Sequence, residues 1–256
     1  MKTLAVIPAR LASTRLPRKV LREIAGQPML AWVYRAARAC PLLNDVLIAT
    51  DASEVLAFAQ QHGLAAVLTP ADCASGTDRV HAVAQSIPAD VYVNIQADEP
   101  MLRPEHIEAL LKPFSNHEVQ ISTLATPFAP SSARGEINSR GEIDNPNAVK
   151  VVTAADGRAL YFSRAAIPYD RDRQGSVRYL KHLGLYAYRR KALQQFPTLR
   201  PSALEAAEKL EQLRFLENGL SIHVAETPYD TIGVDTEEDL RRVEAILNRS
   251  KSGPVI

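Results

Sequence analysis

Through the first hundred residues, short and almost uninterrupted apolar runs alternate with helix-period segments, and this alternation constrains the fold more than any other feature. Thr3–Ile7, Asp45–Thr50, Ala65–Thr69 and Val91–Gln96 read as strands. Pro28–Ala39, Ser53–His62, Asp78–Gln85 and Pro104–Lys112 read as the helices between them. Strands apolar on both faces and joined through helices form a parallel sheet covered on both sides. In such sheets ligands bind at the carboxyl ends of the strands. The loops after Ile7, Thr50, Thr69 and Gln96 are therefore where chemistry is expected.

The rhythm changes near Val119. Val119–Ala125, Val149–Thr153, Ala159–Ser163 and His182–Tyr188 are predicted strands with few helices between them, a mixed or antiparallel pattern. Pro127–Asn147 carries Pro, Ser, Gly and Asn without periodicity and reads as a flexible excursion. Leu204–Asn218 reads as one helix stopped by Gly219, Ser221–Ala225 as a strand, and Asp235 to Leu247 as a closing helix. The tail after Arg249 is expected to fray.

The loop after the first strand, IPARLASTRLPRKVL, gathers Arg10, Arg15, Arg18 and Lys19 with Ser13 and Thr14. Guanidinium forks and an ammonium suit phosphate oxygens, and hydroxyls and backbone N–H groups can complete the cradle. Neither GxxxxGK[ST] nor GxGxxG is present, so this is neither a P-loop nor a dinucleotide fingerprint. A solvated basic loop is the alternative. Thirty basic against twenty-nine acidic residues leave a formal net charge of +1, so no global field recruits nucleic acid or an anionic membrane, and a polyphosphate has to be held locally.

Two acidic segments follow runs that end at the same kind of place. VNIQADEPM puts Asp98 and Glu99 after a buried strand, and TIGVDTEEDL puts Asp235 after another apolar run. One or two carboxylates beside phosphates are what Mg²⁺ uses. Alternatively, Asp235 caps the last helix and Asp98–Glu99 form a turn before Pro100. Ser75–Arg79 (SGTDR) is either part of a nucleoside site or a helix cap. His182 at a strand edge reads as structural, and Glu211 with Arg214 as an exposed i, i+3 pair. Cys40 and Cys73 have no CxxC spacing and read as apolar fillers in a reducing compartment. MKTLAVIPAR is too short for a signal-peptide core, and no run approaches the ~18–20 apolar residues of a membrane span. Membrane insertion is not expected, and a cytoplasmic location is.

Taken in order, IPAR, STRLP, SGTDR, NIQADEP, NPNAVKVV, ALYFSRAAIP, KHLGLYAY, LEQLR and GVDTEEDL resemble the bacterial 3-deoxy-manno-octulosonate cytidylyltransferases over nearly the whole chain. IPAR and GVDT occur in other sugar nucleotidyltransferases; ALYFSRAAIP, KHLGLYAY and LEQLR are more specific. The resemblance implies an α/β, three-layer, Rossmann-like nucleotidyltransferase fold with a mostly parallel central sheet. It further implies one domain over 1–256 whose β-rich insertion, at about 124–213, makes a homodimer contact and a wall of the sugar pocket. It implies transfer of CMP from CTP to 3-deoxy-manno-octulosonate (Kdo), for lipopolysaccharide biosynthesis, with Mg²⁺ as cofactor. Arg10, Ser13, Arg15 and Lys19 would hold the triphosphate, and Asp98 and Asp235 the metal; Arg10, Lys19, Asp98 and Asp235 would be catalytic. Ser75, Gly76, Thr77, Arg79 and Gln96 would lie near cytosine and ribose. His182, Tyr186, Glu211 and Gln212, with Arg164 as a neighbour, would face the sugar acid. The 8-amino form of Kdo, another sugar, or a catalytically silent nucleotide-binding role are the alternatives. Three residues depart from the family pattern: Ala97 stands for Gly before the acidic pair, and Arg18 and Val20 stand for Gly and Pro of an LPGKPL-like run.

Overall fold

The computed structural model describes residues 1–11, 15–128, 139–172 and 177–252. In chain order the elements are β1 (Thr3–Pro8), β2 (Glu23–Ile24), β3 (Gln27–Pro28), α1 (Met29–Arg38), β4 (Asp45–Thr50), α2 (Ser53–Gln61), β5 (Ala66–Leu68), α3 (Gly76–Ser86), β6 (Val91–Asn94) and α4 (Pro104–Leu111). They continue with β7 (Ile121–Pro127), α5 (Ser139–Ile143), β8 (Lys150–Thr153), β9 (Ala159–Ser163), β10 (Leu180–Arg189), α6 (Arg190–Gln195), α7 (Ala203–Glu208), α8 (Gln212–Glu217), β11 (His223–Glu226) and α9 (Glu237–Ser252). The chain divides into two compact units, Met1–Glu108 with Thr231–Ile256, and Ala109–Asp230.

In the first unit, four strands lie parallel in the order β6-β1-β4-β5. All but the last residue of β1 are buried, as the unbroken apolar run requires of a strand covered on both faces. The closing helix returns to this unit. Val234, Leu240 and Val243 pack with Leu16, Ile24 and Met29 in one buried cluster, and the Trp32 indole donates to the Ile24 carbonyl at 2.8 Å. That packing carries residues 231–236 back beside the loop after β1. The β2–β3 hairpin, with Ala25 and Gly26 both at positive φ, was not predicted.

In the second unit β11 runs parallel to β7, β10 antiparallel to β7, β8 antiparallel to β10, and β9 antiparallel to β8. The mixed pattern expected after Val119 is thus present. β10 bulges: Leu183 pairs with Leu124 but Tyr186 pairs with Thr123, so two extra residues oppose β7 around Gly184. The single helix expected over Leu204–Asn218 is instead two, α7 and α8, because Lys209 adopts a left-handed conformation (φ 54°). The Arg164 guanidinium takes the main-chain carbonyls there, Nε donating to Glu208 O at 2.6 Å and Nη2 to Lys209 O at 3.4 Å. Part of the excursion expected over Pro127–Asn147 is helical, α5; residues 129–138 of it, and 253–256 of the tail expected to fray, lie outside the described residues.

Candidate active site

A cavity of about 480 Å³ opens at the carboxyl ends of β1 and β6 in the first unit. Its basic side is Arg10, Arg15 and Lys19, its acidic side Asp98 and Asp235, and Ser75, Gly76 and Gln96 line the rest with Pro8, Val20, Ala74 and Ala97. Each of these positions has a local cause. Arg18 takes a left-handed conformation (φ 55°), and the chain turns there into a one-turn 3-10 helix, Lys19–Leu21, with Val20 buried beneath it. That turn aims Lys19 inward: Nζ lies 2.5 Å from Asp98 Oδ2 and 2.9 Å from Asp235 Oδ1. Burial disfavours the ammonium, but Asp98 and Asp235 outweigh it, so the Lys19 pKa is raised and the group stays charged. Burial likewise works to raise the Asp235 carboxyl, yet the hydrogen bond and charge of Lys19 and the charge of Arg15, 3.0 Å from Oδ2, hold it below the ordinary carboxylate value.

Asp235 does not cap the last helix. Thr236 does, in a reciprocal box with Asp239: Thr236 Oγ1 accepts from Asp239 N at 3.2 Å, and Asp239 Oδ2 accepts from Thr236 N at 2.9 Å and Asp235 N at 3.1 Å. The Asp235 side chain is thereby left for Lys19 and Arg15. Its neighbour Val234 donates its N–H to Asp98 O at 2.9 Å, which ties the two acidic segments together. Asp98 lies in a turn before Pro100, as the alternative reading had it, but its carboxylate faces Lys19.

The nucleoside-side residues divide. Ser75 caps α3, its Oγ accepting from Asp78 N at 3.1 Å and donating to Asp78 Oδ2 at 3.0 Å, so the cap reading of SGTDR holds for this hydroxyl. Gly76 has no positive φ, and a methyl there would meet only ordinary contacts, 3.5 Å to Asn94 and 3.7 Å to Pro8. Thr77 and Arg79 are buried, at 1% and 0% exposure, and are not part of the cavity lining. The Arg79 Nη1 donates to Thr69 Oγ1 and Nη2 lies 3.4 Å from Asp51 Oδ2, which braces the loop from within. Arg10 donates through Nη2 to the carbonyls of Cys73 and Ser75, the latter at 3.2 Å. Gln96 lines the cavity directly; Ser13 and Thr14 lie outside the described residues. Ala97 is not among the described non-glycine residues with positive φ, so the backbone does not demand glycine there. Both thiols, Cys40 and Cys73, are free, and burial raises their pKa.

The second unit assembles its own cluster on β10 and α8. The β10 bulge wraps over Thr123, whose Oγ1 donates to Leu185 O at 2.8 Å and lies 2.9 Å from His182 Nε2. Thr123 also hydrogen-bonds Tyr186, so one hydroxyl sets both rings, 5.5 Å apart between centroids. Burial lowers the His182 pKa to about 3 and raises Tyr186 well above its ordinary value, leaving both rings neutral. Thr123 was not predicted; as one of three hydroxyl residues in β7, with Ser122 and Thr126, it gives no signal until its partner strand is known. Gln212 is 5% exposed, and its Nε2 is a buried donor without a hydrogen-bond partner among the described residues. Glu211 immediately precedes α8. Arg214 pairs with Glu205, at 2.6 and 2.8 Å. Arg164 is committed to carbonyls, Pro146 O at 2.9 Å and those of Glu208 and Lys209 at the α7–α8 junction.

Carboxylates and fixed positive charge at the strand ends of a parallel sheet are the equipment of a nucleotidyltransferase, and comparison with known proteins agrees. A cytidylyltransferase family model matches residues 4–222. The 3-deoxy-manno-octulosonate cytidylyltransferase of Acidobacterium capsulatum is 67% identical over 251 residues, 98% of each chain. That of Koribacter versatilis is 57% identical over 247 residues, 96% of this chain and 90% of the relative. A solved structure of CMP:2-keto-3-deoxy-manno-octonic acid synthetase complexed with CTP matches with a TM-score of 0.90 and 40% identity, covering 98% of this chain and 100% of that one. The chain belongs to the 3-deoxy-manno-octulosonate cytidylyltransferase family and has its α/β three-layer fold. Among the described residues no helix is long and apolar enough to cross a membrane.

Proposed function

We propose that the protein transfers CMP from CTP to the anomeric hydroxyl of Kdo, releasing pyrophosphate. The observation that carries this reading is the convergence of Lys19, Asp98 and Asp235 at one cavity edge, with Arg10 and Arg15 beside them, in a chain this close to relatives of that name. A bond forms between the sugar oxygen and the α-phosphorus, the bond from that phosphorus to the bridging oxygen breaks, and the hydroxyl proton is lost to solvent. Arg10, Arg15 and Lys19 hold the triphosphate, with Ser13 assigned the same role by family resemblance. Their charges gain strength as the site excludes water. Ser75, Gly76 and Gln96 receive the nucleoside, while Thr77 and Arg79 shape the loop beneath it. No covalent enzyme intermediate is needed; positioning and charge neutralisation do the work.

The residues fit Mg²⁺. Asp98 and Asp235 present oxygen donors that already share one cation, the Lys19 ammonium, and two carboxylates beside phosphates make an ordinary magnesium donor set. When bound, Mg²⁺ would neutralise triphosphate charge and lower the pKa of the attacking hydroxyl. For the sugar acid, neutral His182 and Tyr186, the Glu211 carboxylate and the buried Gln212 Nε2, which has no hydrogen-bond partner among the described residues, supply acceptors and donors. Arg164 is a positioning residue for Gln212. The product serves lipopolysaccharide biosynthesis, and we place the protein in the cytoplasm, which cell fractionation would test.

Pyrophosphate release should require CTP, Kdo and Mg²⁺ together. Absence of turnover with Kdo and any nucleotide sinks the reading, and turnover only with the 8-amino form reassigns the acceptor. Asp98→Asn and Asp235→Asn should each lower kcat/KM by at least about 100-fold while unfolding transitions stay in place. Unaltered activity in either variant removes that residue from the metal site.

A further inference from the structure

Lys19 stands where a cation belongs. Its side chain is 14% exposed, and its Nζ satisfies one oxygen of Asp98 and one of Asp235 from inside the protein. Arg15 takes the remaining Asp235 oxygen at 3.0 Å. A divalent ion that seeks these oxygens must take them from the ammonium, because two cations side by side in a partly dry site repel strongly. Lysine is suited to give way. It is a compact charge on a flexible four-carbon stem, so it can withdraw without unfolding its turn. The turn itself is held by main-chain bonds, Leu21 N to Arg18 O at 2.9 Å and Arg22 N to Lys19 O at 3.1 Å.

We propose that Lys19 is an exchangeable internal counter-ion: it holds Asp98 and Asp235 together until a divalent cation takes the carboxylates, and the released ammonium then serves the triphosphate. This rests on the reading of Asp98 and Asp235 as metal ligands. The same cavity contains all the parts, so the ammonium displaced from the carboxylates remains beside Arg10 and Arg15. Metal loading and phosphate binding then favour each other through one side chain. The carboxylates meanwhile never face each other without a cation, which would be costly for two partly buried anions.

The test is Mn²⁺ binding to nucleotide-free protein, followed by the electron paramagnetic resonance signal of the free ion. Lys19→Met, which has no ammonium to displace, should bind Mn²⁺ at least about tenfold more tightly than the wild type, while Lys19→Arg, which keeps the charge, should not. Equal or weaker binding by Lys19→Met overturns the exchange. Asp98→Asn and Asp235→Asn separate the two readings: wild-type Mn²⁺ affinity in both means the metal assignment itself is wrong, whatever Lys19 does. Should Lys19→Met fail to fold, the wild-type protein suffices. Acylation of Lys19 by an amine reagent, read by peptide mass spectrometry, should rise severalfold on adding Mg²⁺, with exposed Lys2 as the internal reference. No rise at a Mg²⁺ concentration that displaces bound Mn²⁺ overturns the proposal.

Discussion

At the scale of single residues, the departures from the family pattern have different physical weight. Ala97 carries no conformational cost, since its φ is not positive. Arg18 does: a side chain held at φ 55° costs on the order of 1 kcal/mol relative to glycine. Its compensation is an ion pair with Glu54 in which both side chains are largely exposed, and such pairs contribute roughly 0–1 kcal/mol. Arg18→Gly is therefore expected to be neutral or to stabilise by up to about 1 kcal/mol, measured by urea unfolding. A loss of more than that amount would mean that Glu54 holds the loop more firmly than an exposed pair can. Gly76 gives the opposite test. Neither its backbone nor its protein neighbours forbid a methyl, so Gly76→Ala should fold as the wild type does. If the nucleoside approaches this backbone, the same variant should weaken CTP binding about tenfold or more, read by calorimetry. Unchanged affinity would move the nucleoside away from Gly76.

At the scale of elements, two features were illegible for the same reason. The helical period runs on through Lys209, which nothing in the local sequence marks as a stop. The break becomes visible only with Arg164, forty-odd positions earlier, whose side chain captures the carbonyl of Glu208. The β10 bulge has Gly184 as a local hint, but its consequence, both rings meeting Thr123, depends on register with β7. That element also gives a pH prediction. The folded ring of His182 has its pKa at about 3, against 6.5 unperturbed. Between these values the unfolded chain binds a proton that the folded chain does not, so stability is full above pH 6.5 and falls as pH drops towards 3. One proton corresponds to a slope of at most about 1.4 kcal/mol per pH unit, and the half-buried ring should deliver less. His182→Gln should flatten the decline in urea stability between pH 7 and pH 5. An identical slope in variant and wild type would show that this ring does not set the acid sensitivity.

At the scale of the whole molecule, the second unit presents features a lone chain would keep covered. Among the described residues β9 has one strand partner, β8, and carries Leu160 at 62% exposure, with Tyr169 at 77% a few residues beyond. An edge strand bearing a large apolar side chain pairs readily unless something covers it. Sedimentation equilibrium is expected to give twice the 28.1 kDa chain mass, and Leu160→Glu with Tyr169→Glu to shift it to one. A wild-type monomer at micromolar concentration would refute this. What the sequence determined alone was whatever depends on neighbours along the chain: the buried parallel strands, the covering helices, the basic loop and the family motifs. The tertiary structure alone decided which groups meet, because Lys19 reaches Asp98 across 79 positions and Asp235 across 216. It also separated cap from ligand. Ser75 and Asp235 looked alike as helix starts, yet Ser75 gives its hydroxyl to a cap while Asp235, relieved by Thr236, keeps its carboxylate for a cation. Such choices are made by burial and by the partners available in space, and neither is written in local spacing.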